Sequence, residues 1–271
     1  MKTIGLIAGV GRLPVEFARA ASGMGIAVVA VGIVSGVDPE LESVAAKYHV
    51  ISVGELDTVL TTLKTEGVQQ VTLLGKVTKE LIFGGALKMD GRAQALLAGL
   101  KDYSDDTIML ALVRELAKEN IAVLDQTALL KTLMPAPGVL TRREPTSAEK
   151  ADMEFGFRMA KEMGRLDIGQ TVVVKNRAVM AVEAIEGTDA CIRRGGLLAG
   201  GGAVVVKVAK PNQDLRFDVP GIGFDTFHSL IEAGASVLAF EAGKTLLVDR
   251  DRMIVQANEH NIAIVAMALS D

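Results

Sequence analysis

Short apolar runs alternate with amphipathic stretches along the first half of the chain. "TIGLIAG", "AVVAVGIV", "HVISVG", "QVTLLGK" and "IAVLD" are strand-length and almost continuously apolar. Strands of a parallel sheet covered on both faces read this way. "LPVEFARAASGMG", "ELDTVLTTLKTEG" and "DDTIMLALVRELAKEN" lie between them and carry helical spacing. The alternation predicts a doubly wound, mostly parallel, Rossmann-like sheet over residues 1–133. Residues 134–149, "MPAPGVLTRREPTSAE", hold three of the seven prolines and a charge run, and they break the rhythm. They are expected to link the first domain to a second one over 150–271.

The second half changes character. "SAEKADMEFGFRMAKEMG" reads as a helix with Ser147 as its N-cap. "QTVVVKN" and "AVMAVEAI" sit close enough for a hairpin. "AVVVKVAK", "SVLAF" and "IAIVAM" are further strands, with helices expected at "FDTFHSLIEAG" and "DRDRMIVQANEHN". In "QDLRFDV", Asp214, Arg216 and Asp218 alternate with Leu215, Phe217 and Val219, which predicts a half-buried strand with a charged face. The second domain is thus α/β with a mixed sheet, and it holds most of the candidate catalytic residues.

Composition narrows the function classes. The chain has 271 residues, 49% hydrophobic and 23% charged, with a formal charge of −4. That balance suits a soluble globular protein and excludes a generally basic nucleic-acid surface. The single Cys191 permits neither an internal disulfide nor a cysteine metal cluster. Mean hydropathy is high at +0.34, yet no apolar run reaches the length of a membrane span. The start, "MKTIGLIAGVGRLP", reads as strand, turn and helix rather than as a signal peptide. A cytoplasmic location is the expectation.

Several clusters have the residue types for phosphate chemistry. Gly9, Gly11 and Arg12 lie between the first strand and helix, where glycines free the backbone and helix-start amides attract phosphate. Pro14 replaces the third glycine of a dinucleotide fingerprint, and no acid follows the second strand to hold a ribose, which argues against a nicotinamide cofactor. A tight turn without a ligand explains the same residues equally well. Lys76 ends a strand where open α/β sheets place ligands; a solvated lysine is the plainer alternative. Ser104 is expected to cap the helix that follows it, with Asp105 and Asp106 favoured by the helix dipole rather than by a metal. Thr188 or Asp189 is expected to cap another helix. Glu186 and Asp189, grouped with Asp167 and Gln170, can also face a pocket, with one of Arg193 and Arg194 turned back toward an anion; capping and surface charge explain the same residues equally well. Between 207 and 225 lie Lys207, Lys210, Gln213, Asp214, Arg216, Asp218 and Asp225 around a Pro-Gly turn. Such a run offers cations for phosphate and carboxylates for a metal or a water.

"LIAGVGRLP", "LLGKV", "YSDDTIML", "LDIGQTVVVKN", "AVEAIEGTDACIRR" and "KPNQDLRFDVPGIGFDT" occur in this order over nearly the whole chain. Together they resemble the LpxI-type UDP-2,3-diacylglucosamine pyrophosphatases of lipid A biosynthesis. The resemblance implies hydrolysis of that lipid-linked nucleotide sugar to UMP and 2,3-diacylglucosamine 1-phosphate (lipid X). It also implies dependence on Mg²⁺, with Mn²⁺ as the substitute, and two domains around a cleft. Asp225 is then the first candidate for metal binding or water orientation. Asp214 and Asp218 are further metal candidates, and Asp189 is a further catalytic one. Gly9, Gly11, Arg12, Lys76, Gln170, Thr188, Lys207, Lys210, Gln213 and Arg216 are the candidates for binding substrate. The acyl chains require an apolar groove, expected between the domains, and transient contact with the inner membrane surface. A homodimer is a candidate assembly. Gly221 departs from the "PTIG" expected after Val219. Two other classes stay open: a regulatory module that binds a nucleotide or lipid without chemistry, and a nucleotide-sugar oxidoreductase, against which the missing ribose acid argues.

Overall fold

The computed structural model describes residues 2–78, 87–211 and 213–268. They divide into two compact units. One comprises the residues up to Leu130 together with Leu215–Asp218; the other comprises Lys131–Asp214 and the residues from Val219 onward.

The first unit is built on five parallel strands: β1 (Thr3–Ala8), β2 (Ala27–Gly32), β3 (Lys47–Val50), β4 (Gln70–Leu74) and β5 (Ala122–Val123). Their order is β3-β2-β1-β4-β5, so the direction of winding reverses between β1 and β4. The doubly wound expectation therefore holds. The connecting helices are α1 (Leu13–Gly23), α2 (Glu40–Val44), α3 (Leu56–Thr65), α4 (Gly91–Ala98) and α5 (Asp105–Lys118). Ile7, Val29, Val31, Val71 and Leu73 of the strands pack with Leu56, Leu60, Leu63, Ala93 and Leu116 of the helices, and Phe217 packs against this cluster. Ser104 caps α5 as expected, accepting a hydrogen bond from the Thr107 amide at 3.3 Å.

The second unit carries a six-stranded mixed sheet of β6 (Gly138–Val139), β7 (Thr171–Lys175), β8 (Ala178–Val182), β9 (Val204–Lys207), β11 (Val237–Glu241) and β13 (Ala263–Met267). The order is β6-β13-β11-β9-β7-β8. β13, β11 and β9 run parallel, while β6, β7 and β8 pair antiparallel. A separate parallel pair joins β10 (Gly221–Ile222) to β12 (Leu246–Leu247). Residues 134–149 thus include β6, which pairs with β13.

Strand alternation sorts the second core into two faces. Val172, Val174, Val204, Val206, Val237, Ala239, Ala263 and Val265 meet Met153, Phe157 and Ala160 of α6 (Ser147–Arg165). Val173, Val205, Leu238 and Ile264 meet α7 (Thr188–Ala199), α8 (Phe224–Glu232) and α9 (Arg250–Glu259) through Cys191, Ile192, Phe227, Leu230, Met253 and Ala257. Both faces being covered explains why these strands are nearly continuous in Val, Ile and Ala. The β7–β8 hairpin turns through Asn176 and Arg177, both at positive φ. Buried Asp152 of α6 holds that turn, accepting from the Asn176 amide at 2.9 Å and the Arg177 amide at 2.6 Å.

Three local expectations are corrected. Thr146, not Ser147, caps α6, because Thr146 and Glu149 exchange reciprocal side-chain to backbone bonds in a capping box. Neither Thr188 nor Asp189 caps α7; the N-cap is Gly187 at φ +80, and the other two lie in the first turn. The alternating segment 213–219 is not a strand, and Leu215–Phe217 form a turn. Its backbone bonds run elsewhere: the Leu215 carbonyl accepts from the Gln126 amide at 2.8 Å, and Phe217 joins the core of the first unit. The alternation there reflects one apolar anchor rather than a ladder. No helix among the described residues is long and apolar enough to cross a membrane.

The β1 and β4 ends meet through glycine backbone. A Cβ on Gly9 would lie 2.5 Å from the Lys76 carbonyl oxygen, which is main chain and cannot yield cheaply. Gly9→Ala should therefore cost the protein about 3 kcal/mol, the upper part of the overpacking range. Gly23→Ala at the end of α1, where a Cβ meets nothing within 4 Å, should leave stability unchanged or raised by up to about 1 kcal/mol. Urea unfolding of both variants distinguishes the two sites, and equal behaviour would contradict the close approach.

Candidate active site

The first unit brings together two segments nominated separately from the sequence. Beyond β1 and β4, Val10 and Lys76 form an antiparallel bridge, with Val10 N–H to Lys76 O at 2.9 Å and Lys76 N–H to Val10 O at 2.8 Å. The Gly9 amide donates to the Leu74 carbonyl at 2.8 Å. The Gly9 and Val10 amides are therefore engaged within the loop. Gly11 sits at φ +118, a conformation that favours glycine. Arg12 meets three carboxylates: Glu16 at 3.3 Å, Asp38 at 3.0 Å and Glu40 at 2.5 Å. The bond to Glu40 raises the guanidinium pKa, against partial burial and with help from Asp38. Arg12 thus ties the start of α1 to the loop after β2, while the Lys76 side chain is solvent-exposed.

The second unit gathers a denser polar cluster at the ends of β8 and β9. Lys207, the last residue of β9, is 6% exposed. Its Nζ donates to Thr188 Oγ1 at 3.2 Å and to the Gly221 carbonyl at 3.0 Å. Thr188 Oγ1 in turn donates to Glu183 Oε1 at 2.7 Å. Glu183 is buried just after β8, and its Oε2 has no hydrogen-bond partner among the described residues. The same holds for Asp189 Oδ1 in the first turn of α7. A buried carboxylate oxygen without a donor is costly unless a cation or ligand group meets it. Gln170 and Gln213 meet through their side chains at 3.3 Å, and Gln213 Oε1 accepts from the Lys210 amide at 3.0 Å. Lys210 Nζ pairs with Asp167 at 2.7 Å.

Asp225 is an exposed residue in the first turn of α8, whose N-cap is Gly223. Its acidic side chain is favoured there by the helix dipole. Asp214 belongs to the second unit, whereas Arg216 and Asp218 fall within the segment assigned to the first. Arg193 pairs with Glu232 at 2.6 Å, and Arg194 reaches Glu186 and the Val182 carbonyl. Both arginines are thus engaged within the second unit. Burial pushes the Cys191 thiol up to about 12, well away from nucleophilic use. A groove of about 720 Å³ opens along α8 and α9, lined by Phe224, His228, Ile231, Arg252 and Val255 among others.

Sequence reasoning missed two buried acids. Glu183 and Glu241 interrupt the apolar runs "AVEAI" and "LAFEA", and that interruption was the available signal. Glu241 ends β11 and is 7% exposed, with Lys161 at 3.0 Å, Lys244 at 2.9 Å and the Ala209 amide at 2.9 Å around its carboxylate. It joins α6, the chain after β9 and the loop after β11 at the C-terminal end of a parallel strand, the end where α/β folds place ligands.

The fold and site define a two-unit α/β protein. One sheet is wound in Rossmann order, and the other carries a buried lysine–threonine–glutamate cluster. Models of the LpxI N-terminal domain and the LpxI C-terminal domain match residues 3–133 and 136–265, so the chain belongs to the LpxI family. The UDP-2,3-diacylglucosamine pyrophosphatase LpxI of Caulobacter vibrioides is 32% identical over 278 residues, covering 98% of each chain. Solved structures give much weaker likenesses. The biotin carboxylase subunit of pyruvate carboxylase matches at 12% identity and TM-score 0.28, over 68% of this chain and 36% of that one. Phosphoribosylglycinamide synthetase from Anaerococcus prevotii matches at 14% and 0.29, over 68% and 39%. The chain spans little more than a third of either, and likenesses at that level carry no argument.

Glu241 yields a pH prediction. Burial alone would raise its pKa, but Lys244, Lys161 and the Ala209 amide outweigh burial and hold it below the usual carboxylate value. A depressed folded-state pKa stabilises the protein above the unfolded value, and the stabilisation is lost as pH falls through the folded one. Glu241→Gln should therefore be less stable than the parent at pH 7, with the gap closing below pH ~4. Urea midpoints from pH 7 to pH 3 test this; a constant gap would mean that the carboxylate's charge contributes nothing.

Proposed function

We propose that this protein hydrolyses the pyrophosphate of UDP-2,3-diacylglucosamine to UMP and 2,3-diacylglucosamine 1-phosphate, in the presence of Mg²⁺ or Mn²⁺. The observation that carries the proposal is the end-to-end match to a curated relative of that name, with both LpxI domains covered. The buried polar cluster at Lys207 supports it.

A hard divalent cation suits the donors present, though sparsely. Among the described residues no group of three or more His, Cys, Asp or Glu side chains is positioned for a metal ion. Mg²⁺, however, characteristically takes one or two carboxylates and completes its shell with waters and substrate phosphates. The unpartnered Asp189 Oδ1 and the exposed Asp225 carboxylate are the donors we assign to it, with Asp214 and Asp218 as further candidates. When bound, the cation would neutralise pyrophosphate charge and favour ionisation of water.

The protein's own residues would do the rest. Asp225 would orient the attacking water or accept its proton. Lys210 and Arg216 would supply positive charge toward the phosphates, and Gln170 and Gln213 would supply polar contacts, while Lys207 and Thr188, bonded to the Gly221 carbonyl and to Glu183, would act through that carbonyl rather than on the substrate. Gly9, Gly11, Arg12 and Lys76 remain substrate-binding candidates, with Arg12 acting only by exchanging a carboxylate for a phosphate. The protein would work at the cytoplasmic face of the inner membrane and touch it transiently to collect an amphiphilic substrate.

Incubation with UDP-2,3-diacylglucosamine and Mg²⁺ should give UMP and lipid X in equal amounts, and EDTA should abolish turnover. Asp225→Asn should keep near-parental thermal stability and lose at least about 100-fold in turnover. Asp105→Asn, a change at the dipole end of α5, should lose far less. Binding of UDP without product would replace this reading with a non-catalytic binding protein.

A further inference from the structure

The start of α8 is held in place from both sides. On one side β10 pairs with β12: the Leu246 amide donates to the Pro220 carbonyl at 2.8 Å, and the Val248 amide to the Ile222 carbonyl at 2.9 Å. Carbonyls alternate in direction along a strand, so the intervening Gly221 carbonyl faces away from β12. Its partner is the Lys207 ammonium, at 3.0 Å. Lys207 therefore occupies the place of a second neighbouring strand beside the two-residue β10. Gly223 and α8 follow directly, and Asp225 is in the first turn.

What fixes Lys207 is equally specific. Thr188 Oγ1 has one hydrogen, and it points at Glu183 Oε1, 2.7 Å away. The hydroxyl is left to accept, and it accepts from Lys207 Nζ at 3.2 Å. The polarity of the chain is thereby set from the buried carboxylate outward: Glu183 fixes the hydroxyl, the hydroxyl fixes the ammonium, and the ammonium fixes the Gly221 carbonyl. Glu183 and Lys207 are both buried, so solvent offers little substitute for these contacts.

We infer that Glu183, Thr188 and Lys207 are positioning residues, acting through the Gly221 carbonyl on the placement of Asp225. This rests on the proposed role of Asp225 for its catalytic part, but not for its structural part. A misplacement of about 1 Å at a reacting group costs as much as 100-fold in rate, so a tether at Gly221, four residues before Asp225, has leverage over turnover while touching no reacting atom.

The test compares Thr188→Val, which keeps the shape and removes the hydroxyl, with Thr188→Ser, which restores it. Two readouts are taken on the full chain: steady-state kinetics with UDP-2,3-diacylglucosamine, and amide hydrogen exchange of residues 221–227 against residues 171–175 of β7. Thr188→Val should lower kcat by about 10–100-fold with KM changed less than about twofold, and it should speed exchange in 221–227 selectively. Thr188→Ser should recover the greater part of both. Faster exchange with unchanged kcat overturns the inference, because the placement would not matter to the reaction. Lower kcat with unchanged exchange overturns it too, because Thr188 would then act on substrate directly. A serine variant as impaired as the valine one also overturns it. If the parent protein shows no turnover, the functional reading fails by itself, and the exchange data alone decide whether the tether exists.

Discussion

A buried ammonium must be met by oxygen, and much of the second unit is arranged to meet one. Lys207 ends a strand whose preceding residues are all apolar and buried. Isolated in that environment its charge would be strongly disfavoured. The Thr188 hydroxyl and the Gly221 carbonyl meet it, and each comes from a different element with its own fixed placement. The hairpin held by Asp152 presents β7 and β8 to β9, and the end of β8 carries Glu183 beneath Thr188. The polar cluster is thus a consequence of sheet order: the antiparallel β7–β8 pair is added beside parallel β9, which puts the β8 end and the β9 end within reach of α7.

The two sheets treat their glycine loops differently for the same physical reason. In the first unit, Gly9 and Gly75 allow two main chains to approach where a Cβ would collide, and the Gly9, Val10 and Lys76 amides are engaged in joining the two segments. Arg12 is then neutralised by nearby acids. In the second unit, Gly221 sits in open space, and a Cβ there would meet nothing within 4 Å. Its value lies in its carbonyl rather than in its missing side chain. The Cβ of a threonine at 221, the residue expected from the family resemblance, would meet no steric barrier.

Strand and helix identity was written in the sequence wherever burial on both faces made the pattern continuous. The βα rhythm of the first unit, the β7–β8 hairpin and the Ser104 cap follow from apolar run length, turn residues and side-chain chemistry, all local properties. So did the general location of the polar cluster, since Thr188, Asp189 and Lys207 stand out from their surroundings. In the segment 213–219 alternation is ambiguous: Phe217 is apolar to fill a core contributed by distant residues, not to face one side of a sheet. The α6 cap was misplaced by one residue because Thr146 and Ser147 have the same capping chemistry, and only the reciprocal bond from Glu149 selects between them.

By itself, then, the sequence determined the class of fold, the family, and which residue types were available for phosphate chemistry, because these depend on periodicity and on motifs contiguous in the chain. Tertiary structure alone decided which of those residues are partners. Whether Arg12 faces a ligand or Asp38, whether Glu183 matters at all, and which carbonyl Lys207 holds are questions about groups 26, 5 and 14 residues apart. No local rule relates such groups. They are brought within 3 Å or so by strand order and helix packing, and the buried charges are then stable only with the partners that this packing supplies.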